Sequence, residues 1–383
     1  MESEIVDLLN SGKPLRLKMG FDPSAPDIHI GHAVGLRKLR QLQELGHKVV
    51  LIVGDWTAQI GDPSGRSQTR PMLTKDEVVQ NAETYLAQFF KIVDRDRTEL
   101  RWQSEWFADF TLTDVIQLTS RFTVAQFLAR EDFANRFKAN HPIAITELLY
   151  PILQAYDSIA VESDIEFGGT DQKFNLLVGR DLQQMMGHRP QNCLIVPILP
   201  GTDGVLKMSK SLGNYIGINE PPNDIFGKTM SLPDEMVLPC FENLTDVPDD
   251  ELSEMRDSLA DSRVNPMELK KRLAREFVTQ FQGVEAAAGA QDYFERTVQE
   301  REVPEDIATY RLPPAAEREG TRLSRIMIDS KLASSASEAR RLINQGAVRV
   351  NDVKIESDRA APDLCAGDIM TVGRRRWLRL EGD

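Results

Sequence analysis

Two short segments contain side chains suited to binding a nucleoside triphosphate. The first is Asp27-Ile-His-Ile-Gly-His32, which lies between a predicted strand and a predicted helix. Backbone N–H groups and the dipole at a helix N-terminus attract phosphate, and His29 and His32 can add donors. Gly31 lets the backbone approach a ligand closely. On its own, this pattern is equally compatible with two histidines that pack against or cap a turn.

The second segment, Leu206-Lys-Met-Ser-Lys-Ser-Leu212, follows a glycine-rich turn at 201–204. Lys207 and Lys210 could close over phosphates. Cations that reach a departing pyrophosphate only in the transition state accelerate attack on the α-phosphorus. Two lysines beside serines are otherwise typical of a solvated turn, but the two segments together, in this order, favour nucleotide chemistry. Neither a P-loop nor a G-x-G-x-x-G pattern is present, which argues against a P-loop NTPase or a dinucleotide enzyme.

The elements around the first segment predict how it is positioned. Residues 15–21 alternate apolar and polar positions as a half-buried strand does, and 33–46 carry a leucine every third residue, as an amphipathic helix does. The β-branched run at 48–54 is typical of a strand buried on both faces. Strand, helix and strand form a parallel crossover, the first unit of a doubly wound α/β sheet whose carboxyl edge binds ligands.

The length of 383 residues predicts more than one domain. The expected fold class is α/β, a Rossmann-like doubly wound parallel sheet with a helical insertion, then an α-helical domain and a small α+β domain. The helical spacing of the insertion is interrupted at 101–106, and a further sheet strand is expected at 193–199. The predicted boundaries are 1–220 for the sheet domain, about 73–157 for the insertion, 221–302 for the helical domain, 303–320 for a proline-containing linker and 321–383 for the terminal domain.

Composition limits the class of protein. Apolar residues make up 41 % and charged residues 27 %, as in a globular chain. Three cysteines without metal-binding spacing, no apparent signal peptide and no long apolar run predict a cytoplasmic location without membrane association. A net charge of −13 argues against indiscriminate nucleic-acid coating, although residues 320–383 hold 12 Lys and Arg against 9 Asp and Glu.

A polar stripe lies in the middle of the chain. Tyr150, Gln154 and Asp157 are spaced four and three residues apart, so all three project from one helix face. Such a stripe can simply face solvent. The surrounding apolar residues favour a pocket lining instead; they are Leu148, Leu149, Ile152 and Leu153.

These segments resemble a known family. The pair His29-Ile-Gly-His32 and Lys207-Met-Ser-Lys-Ser211 resembles the two signatures of class I aminoacyl-tRNA synthetases. Residues 150–157 resemble the tyrosine-binding helix of tyrosyl-tRNA synthetases, specifically the bacterial subgroup with an intact Lys-Met-Ser-Lys-Ser loop. Residues 167–172 resemble that family's ribose-binding loop, and 61–70 the loop after its second strand. The stretch 322–354 resembles an S4 RNA-binding domain.

The resemblance implies a role for each matching position. Asp157 would accept the phenol hydroxyl of tyrosine, and the ammonium would be held by Tyr150, Gln154 and Asp62. The catalytic, phosphate-binding side chains would be His29, His32, Arg66, Arg70, Lys207 and Lys210. The other ATP contacts would come from Asp22, Ser24, Gly31, Gly169, Asp171, Gln172, Met208, Ser209 and Ser211. RNA phosphates would be contacted by Arg340, Arg341, Arg349 and Lys354.

One position departs from the family pattern. Lys18 stands where many members place a tyrosine that also touches the phenol. Two roles for Lys18 are open: it points to solvent, or it stabilises the ionised carboxylate of Asp157 by proximity. We expect Asp157 to carry most of the phenol recognition.

The implied function is tyrosyl-tRNA synthesis. L-Tyrosine is activated by ATP, which enters with Mg²⁺, and the tyrosyl group passes to the 3′ end of tRNA(Tyr). The resemblance further implies a homodimer that pairs through the helical insertion. No tightly held cofactor or structural metal is expected. The alternatives are a tryptophan-type synthetase, a nucleotidyltransferase with an H-x-G-H motif, and a non-catalytic RNA-binding relative.

Overall fold

A computed structural model of the chain describes residues 2–23, 28–64, 74–261, 263–300, 307–313, 322–359, 364–373 and 376–382. The chain divides into two compact units, Met1–Ala287 and Ala288–Asp383. No helix within the described ranges is long and apolar enough to cross a membrane.

The first unit is built on a parallel sheet of five strands. They are β1 (Arg16–Phe21), β2 (Lys48–Val53), β3 (Thr98–Trp102), β4 (Ile165–Gly169) and β5 (Asn192–Val196). The strand order is β3-β2-β1-β4-β5, and each neighbouring pair is parallel. The order reverses between β1 and β4, so this is the switch point at which doubly wound sheets bind ligands. The predicted fold class is confirmed for this unit.

Helices precede and connect these strands. They are α1 (Glu2–Asn10), α2 (Ile30–Glu44), α3 (Thr57–Ile60), α4 (Lys75–Phe89), α5 (Ser104–Phe107), α6 (Leu112–Thr119), α7 (Val124–Leu128), α8 (Glu131–Lys138), α9 (Ile145–Ala160) and α10 (Lys173–Met185). Leu118, Phe127 and Phe133 of the shorter helices pack with residues of α9 and α10.

Two sequence predictions need correction in this unit. The range 73–157 was predicted as a helical insertion, but it also contains β3, which pairs with β2 at the sheet edge. The strand was missed because its five residues are all only partly buried and carry no alternating pattern. The strand at 15–21 was predicted as half-buried, yet Lys18 is fully buried because β1 lies in the middle of the sheet.

The helices after residue 221 belong to the same compact unit. They are α11 (Pro222–Met230), α12 (Val237–Leu244), α13 (Asp249–Ala260) and α14 (Pro266–Gln282). The next helix, α15 (Val284–Phe294), begins in this unit and continues past its last residue, Ala287. The buried guanidinium of Arg37 in α2 donates to Asp246 and to Gln280. The segment predicted as a separate helical domain therefore packs directly on α2.

Within its described residues, the second unit begins inside α15 and then contains a small mixed sheet and two further α-helices. The helices are α16 (Leu323–Asp329) and α17 (Ala336–Asn344); the strands are β6 (Ala308–Arg311), β7 (Val348–Val350), β8 (Val353–Lys354), β9 (Ile369–Val372) and β10 (Arg376–Glu381), in the order β6-β10-β9-β7-β8. This confirms the predicted α+β class. The predicted linker 303–320 is corrected in part, because β6 pairs in parallel with β10 and Leu312 lies in the core of this unit.

Candidate active site

The first histidine segment lies at the N-terminus of α2. His29 is the residue before the helix, its backbone N–H donates to Nδ1 of His32 at 3.3 Å, and the two rings are 3.8 Å apart. Removal from water, with the nearby charge of Lys207, lowers the pKa of His29 to about 2 and that of His32 to about 4. Both imidazoles are therefore neutral at pH 7 and can each donate one hydrogen bond to an anion.

Backbone pairing holds the lysine loop beside this helix start. Ile30 donates to the carbonyl of Ile216 at 3.0 Å, and Ile218 donates to the carbonyl of Ile28 at 3.1 Å. A side chain at Gly31 would come within 3.0 Å of the His29 ring and 3.7 Å of the Met208 sulfur, so glycine allows this close approach.

The lysine loop is shaped by a buried asparagine that the sequence analysis missed. The Asn214 amide nitrogen donates to Asp203 at 2.6 Å, and its oxygen accepts from the backbone N–H of Ser209 at 2.8 Å. The Asp203 carboxylate in turn accepts two backbone N–H groups, from Val205 and Leu206. An asparagine shortly after a lysine-containing loop is a weak sequence signal, because its partners are set only when the loop closes on itself.

The loop directs Lys207 toward the end of β4. The Lys207 ammonium lies 2.5 Å from the Asp171 carboxylate. Met208 is buried, Lys210 is exposed, and Ser211 lies in the short 3₁₀ turn Lys210–Leu212. Lys207 and the predicted ribose-binding acid are thus brought together.

Glycines at the end of β4 permit a tight arrangement. A side chain at Gly169 would lie 2.8 Å from the Asp171 carboxylate, and one at Gly168 would lie 2.8 Å from Gln172. The Gln172 amide donates to the Asp62 carboxylate at 2.7 Å. The carboxyl end of β4 is therefore linked to the loop after β2.

Tyr150 of α9 and Asp22 after β1 form a direct contact. The Tyr150 hydroxyl donates to Oδ2 of Asp22 at 2.7 Å, and the Thr57 hydroxyl donates to Oδ1 at 2.6 Å. Burial raises the pKa of Tyr150 well above its ordinary value, so the hydroxyl keeps its proton and its oxygen remains an acceptor. Any side chain at Gly54 would collide with both Asp22 and Thr57.

Asp157 is 2 % exposed and accepts hydrogen bonds from two residues that the sequence analysis did not assign. The Gln103 amide donates to both of its oxygens, at 3.1 and 2.8 Å, and the Trp106 indole donates at 3.2 Å. The backbone N–H groups of Trp56 and Thr57 donate to the Gln103 oxygen, which fixes its nitrogen toward Asp157. The signal for these donors was the break in helical spacing at 101–106, a range that includes the last two residues of β3.

The ionisation of Asp157 is set by opposing influences. Burial raises the pKa of Asp157 to about 7 and the negative charge of Glu166 adds to that effect, whereas Lys18 and the donors Gln103 and Trp106 act to lower it. Of the two roles considered for Lys18, a solvent-facing one is excluded because this side chain is fully buried.

Several predicted site residues cannot be placed. Ser24, Arg66 and Arg70 lie outside the described residues. Across the described part of the chain, no group of three or more His, Cys, Asp or Glu side chains that could hold a metal ion is found.

The four predicted RNA contacts are all exposed on the second unit. Arg349 and Lys354 are register partners on β7 and β8. Arg340 and Arg341 lie on α17, where Arg340 is 3.3 Å from Asp358. Two pairs of cations are thus presented by one helix and one hairpin.

The comparisons with known proteins agree with this architecture. Residues 10–299 match the family described as tRNA synthetases class I (W and Y), and residues 321–359 match the S4 domain. The tyrosine–tRNA ligase of Dehalococcoides mccartyi strain CBDB1 is 61 % identical over 379 residues, covering 99 % of this chain and 94 % of that protein. The tyrosine–tRNA ligase of Thermotoga maritima is 48 % identical over 381 residues, covering 100 % of this chain and 94 % of its own length.

A solved structure shares the fold. The tyrosyl-tRNA synthetase of Archaeoglobus fulgidus complexed with L-tyrosine has a TM-score of 0.63 at 23 % identity, and the match covers 76 % of this chain and 94 % of that chain. A doubly wound parallel sheet with polar and charged side chains at its switch point defines the class of α/β proteins that bind ligands at that edge. The chain belongs to the tRNA synthetases class I (W and Y) and carries an S4 domain. The family resemblance predicted from the sequence is confirmed.

The buried acid gives a prediction for stability. Because the pKa of Asp157 is about 7 in the folded chain against an ordinary 3.8, the folded state binds more protons between those values. The free energy of unfolding should therefore fall as pH rises from about 4 to about 7 through this group. The variant Asp157→Asn lacks this titrating group, so its free energy of unfolding should not show this fall. The difference between variant and parent should therefore shift in favour of the variant as pH rises from about 4 to about 7.

Urea denaturation at several pH values between about 5 and 8 measures this difference. A difference between variant and parent that stays constant with pH would show that Asp157 does not titrate in this range.

Proposed function

We propose that this protein is a tyrosine–tRNA ligase. It activates L-tyrosine with ATP, releasing pyrophosphate, and then transfers the tyrosyl group to the 3′ end of tRNA(Tyr). The observation that carries the proposal is the hydrogen-bonded chain at the sheet's carboxyl edge. It runs from Asp157 through Gln103 and Thr57 to Asp22 and Tyr150, and so connects the acid suited to a phenol with the nucleotide side.

In the first reaction a carboxylate oxygen of tyrosine attacks the α-phosphorus of ATP. The new bond is a mixed anhydride, and the bond to the β-phosphate oxygen breaks with its electron pair leaving on pyrophosphate. His29 and His32 donate as neutral groups at the start of α2, while Lys207 and Lys210, together with Arg66 and Arg70, stabilise the charge on the leaving group. ATP enters as a complex with Mg²⁺, which neutralises part of the same charge.

The nucleotide contacts follow the carboxyl ends of strands β1, β4 and β5. The ribose hydroxyls bind Asp171, beside Gly169 and Gln172, and the Lys207–Asp171 contact exchanges for contacts with ATP. Gly31, at the start of α2, and Met208, in the lysine loop, lie next to each other and contact the nucleotide. Asp22, Ser24, Ser209 and Ser211 complete the nucleotide contacts.

Tyrosine is held at both ends. The ammonium binds the oxygens of Tyr150, Gln154 and Asp62, and the phenol hydroxyl donates to Asp157. Phenylalanine lacks the hydroxyl and would leave a buried acceptor unpaired. Discrimination against phenylalanine on this basis is already known for tyrosyl-tRNA synthetases.

In the second reaction a ribose hydroxyl at the 3′ end of the tRNA attacks the carbonyl carbon of tyrosyl-adenylate. An ester forms and AMP leaves. The S4 domain binds tRNA phosphates through Arg340, Arg341, Arg349 and Lys354, all of which are exposed.

Amino-acid-dependent exchange of pyrophosphate into ATP tests the substrate. Tyrosine should support exchange and tryptophan should not. In Asp157→Asn, kcat/KM for tyrosine should fall about 10- to 100-fold, the effect of losing a hydrogen bond to a charged group. Exchange driven by tryptophan would identify the other branch of the family. If none of the amino acids supports exchange, a nucleotidyltransferase or a non-catalytic relative would be favoured.

Lys210→Ala separates the transition state from substrate binding. The rate constant of tyrosyl-adenylate formation should fall about 100-fold or more, because one preorganised donor to the leaving group is removed. The dissociation constant of tyrosine should stay within about 2-fold. Stopped-flow single turnovers and equilibrium binding measure the two quantities; equal losses in both would contradict a transition-state role.

The double variant Arg340→Ala/Arg341→Ala tests the terminal domain. The KM for tRNA should rise, and the dependence of log affinity on log salt should become shallower by about one for each phosphate that the domain no longer binds. Tyrosine-dependent pyrophosphate exchange, measured without tRNA, should be unchanged. A lower exchange rate would show that these arginines support the folding of the chain rather than RNA binding.

The exposed apolar side chains of the insertion support a homodimer. They are Leu112, Ile116, Val124, Phe137 and Ile145, and Ile145 is 78 % exposed. Ile145→Lys should weaken the dimer in sedimentation equilibrium, whereas Leu45→Lys, at a similarly exposed position outside the insertion, should leave it intact. A monomeric parent protein would contradict the proposal.

A further inference from the structure

A buried ion pair lies beneath the proposed tyrosine site. Lys18 of β1 and Glu166 of β4 are register partners in the parallel sheet, and their charged atoms are 2.8 Å apart. Both side chains are essentially inaccessible, at 0 % and 1 % exposure. They join the two strands between which the strand order reverses.

Each charge in this pair has its hydrogen-bonding capacity filled. The three N–H groups of Lys18 reach Glu166, the Ser158 hydroxyl at 2.8 Å and the Gln154 carbonyl at 2.9 Å. The Glu166 carboxylate also accepts from the side chains of Gln154, Ser158 and Gln191. A buried pair with this many partners is costly to assemble, and apolar residues could fill the same space.

Two partners of the pair, Gln154 and Ser158, lie on α9, the helix that also carries Tyr150 and Asp157. Because an ionised carboxylate only accepts, Glu166 selects the nitrogen of the Gln154 amide, which it contacts at 3.1 Å. The oxygen of that amide is thereby left for a cationic group. Gln154 would otherwise be free to present either end to the substrate.

The pair also balances the charge around Asp157. Lys18 favours the ionised form of Asp157 and Glu166 disfavours it. Other titratable groups nearby are Tyr150 on α9 and Cys193 on β5, the register partner of Glu166. Burial raises the pKa of Cys193 to about 12, so this thiol stays neutral.

We propose that Lys18 and Glu166 are positioning residues for tyrosine recognition: together they fix the Gln154 amide with its oxygen toward the substrate ammonium and hold Asp157 as an acceptor for the phenol. This inference rests on the proposed function. It assigns to Lys18 an indirect role through Asp157 and Gln154 rather than a contact with the substrate.

Removing one charge or the other should shift the pH dependence of kcat/KM for tyrosine in opposite directions. Lys18→Met leaves Glu166 uncompensated, so the acidic limb of kcat/KM for tyrosine should move to higher pH by about one unit or more. Glu166→Gln leaves Lys18 uncompensated and should move the limb to lower pH. Glu147→Gln is the matched control, because Glu147 is also a buried acid of α9 but is paired with Arg136 rather than with Lys18. The acidic limb of this variant should match that of the parent.

The double variant Lys18→Met/Glu166→Leu tests the Gln154 part and guards against misfolding. Replacing both charges with apolar residues is commonly neutral for stability, whereas a single replacement can unfold a protein. In the double variant, KM for tyrosine should rise about 10-fold, the effect of one missing hydrogen bond, while KM for ATP stays within about 2-fold. Thermal unfolding of each variant shows that it is folded.

The outcomes separate this inference from the proposed function. Absence of tyrosine-dependent pyrophosphate exchange in the parent protein would reject the proposed function itself. If the parent is active, shifts of the two single variants in the same direction, or none, overturn the inference. An unchanged KM for tyrosine in the double variant also overturns it.

Discussion

The carboxylate of Asp157 is removed from water, and much of the arrangement around it follows from the donors that this requires. An ionised group in such a position is unfavourable unless hydrogen-bonded or near an opposite charge. Gln103 and Trp106 supply hydrogen bonds from the end of β3, and Lys18 supplies positive charge from β1. These groups are distant in sequence and converge only in the folded sheet, where β1 is the central strand and β3 lies at one edge.

The same hydrogen bonds extend beyond the acid. The Gln103 oxygen accepts backbone N–H groups at the start of α3, and Thr57 there donates to Asp22. Asp22 also accepts a hydrogen bond from Tyr150, so the series of hydrogen bonds leads back to α9. An amino acid that binds across this path would contact groups whose orientations are already fixed, so little conformational freedom would be lost on binding.

The start of α2 and the lysine loop beside it follow a different principle. His29 and His32 are neutral because their burial beside Lys207 disfavours a further positive charge. Positive charge on this side is instead concentrated on an exposed loop whose shape depends on Asn214 and Asp203. Neutral donors on a rigid helix and cations on a loop suit a reaction in which charge develops on a leaving group.

Local patterns in the sequence were sufficient for the elements with regular periodicity and for the order of the motifs. The β-branched run that forms β2, the leucine spacing of α2 and the spacing of Tyr150 and Asp157 on α9 each depend on neighbours within a few residues. Family resemblance carried the roles of individual positions, which remain proposals. The short strands β3 and β6 were missed, since a strand of four or five residues is defined by its partner rather than by its own pattern.

Tertiary structure alone decided which side chains meet. Lys18 was assigned to a half-buried strand, but the central place of β1 buries it against Glu166, nearly 150 residues away in the chain. Gln103 and Asp157 are likewise separated by 54 residues and meet only because the fold brings α9 beside the segment that follows β3. The periodic spacing of apolar and polar residues predicts the face of a helix or strand on which a residue lies. The identity of its partner depends instead on strand order and on packing between distant segments.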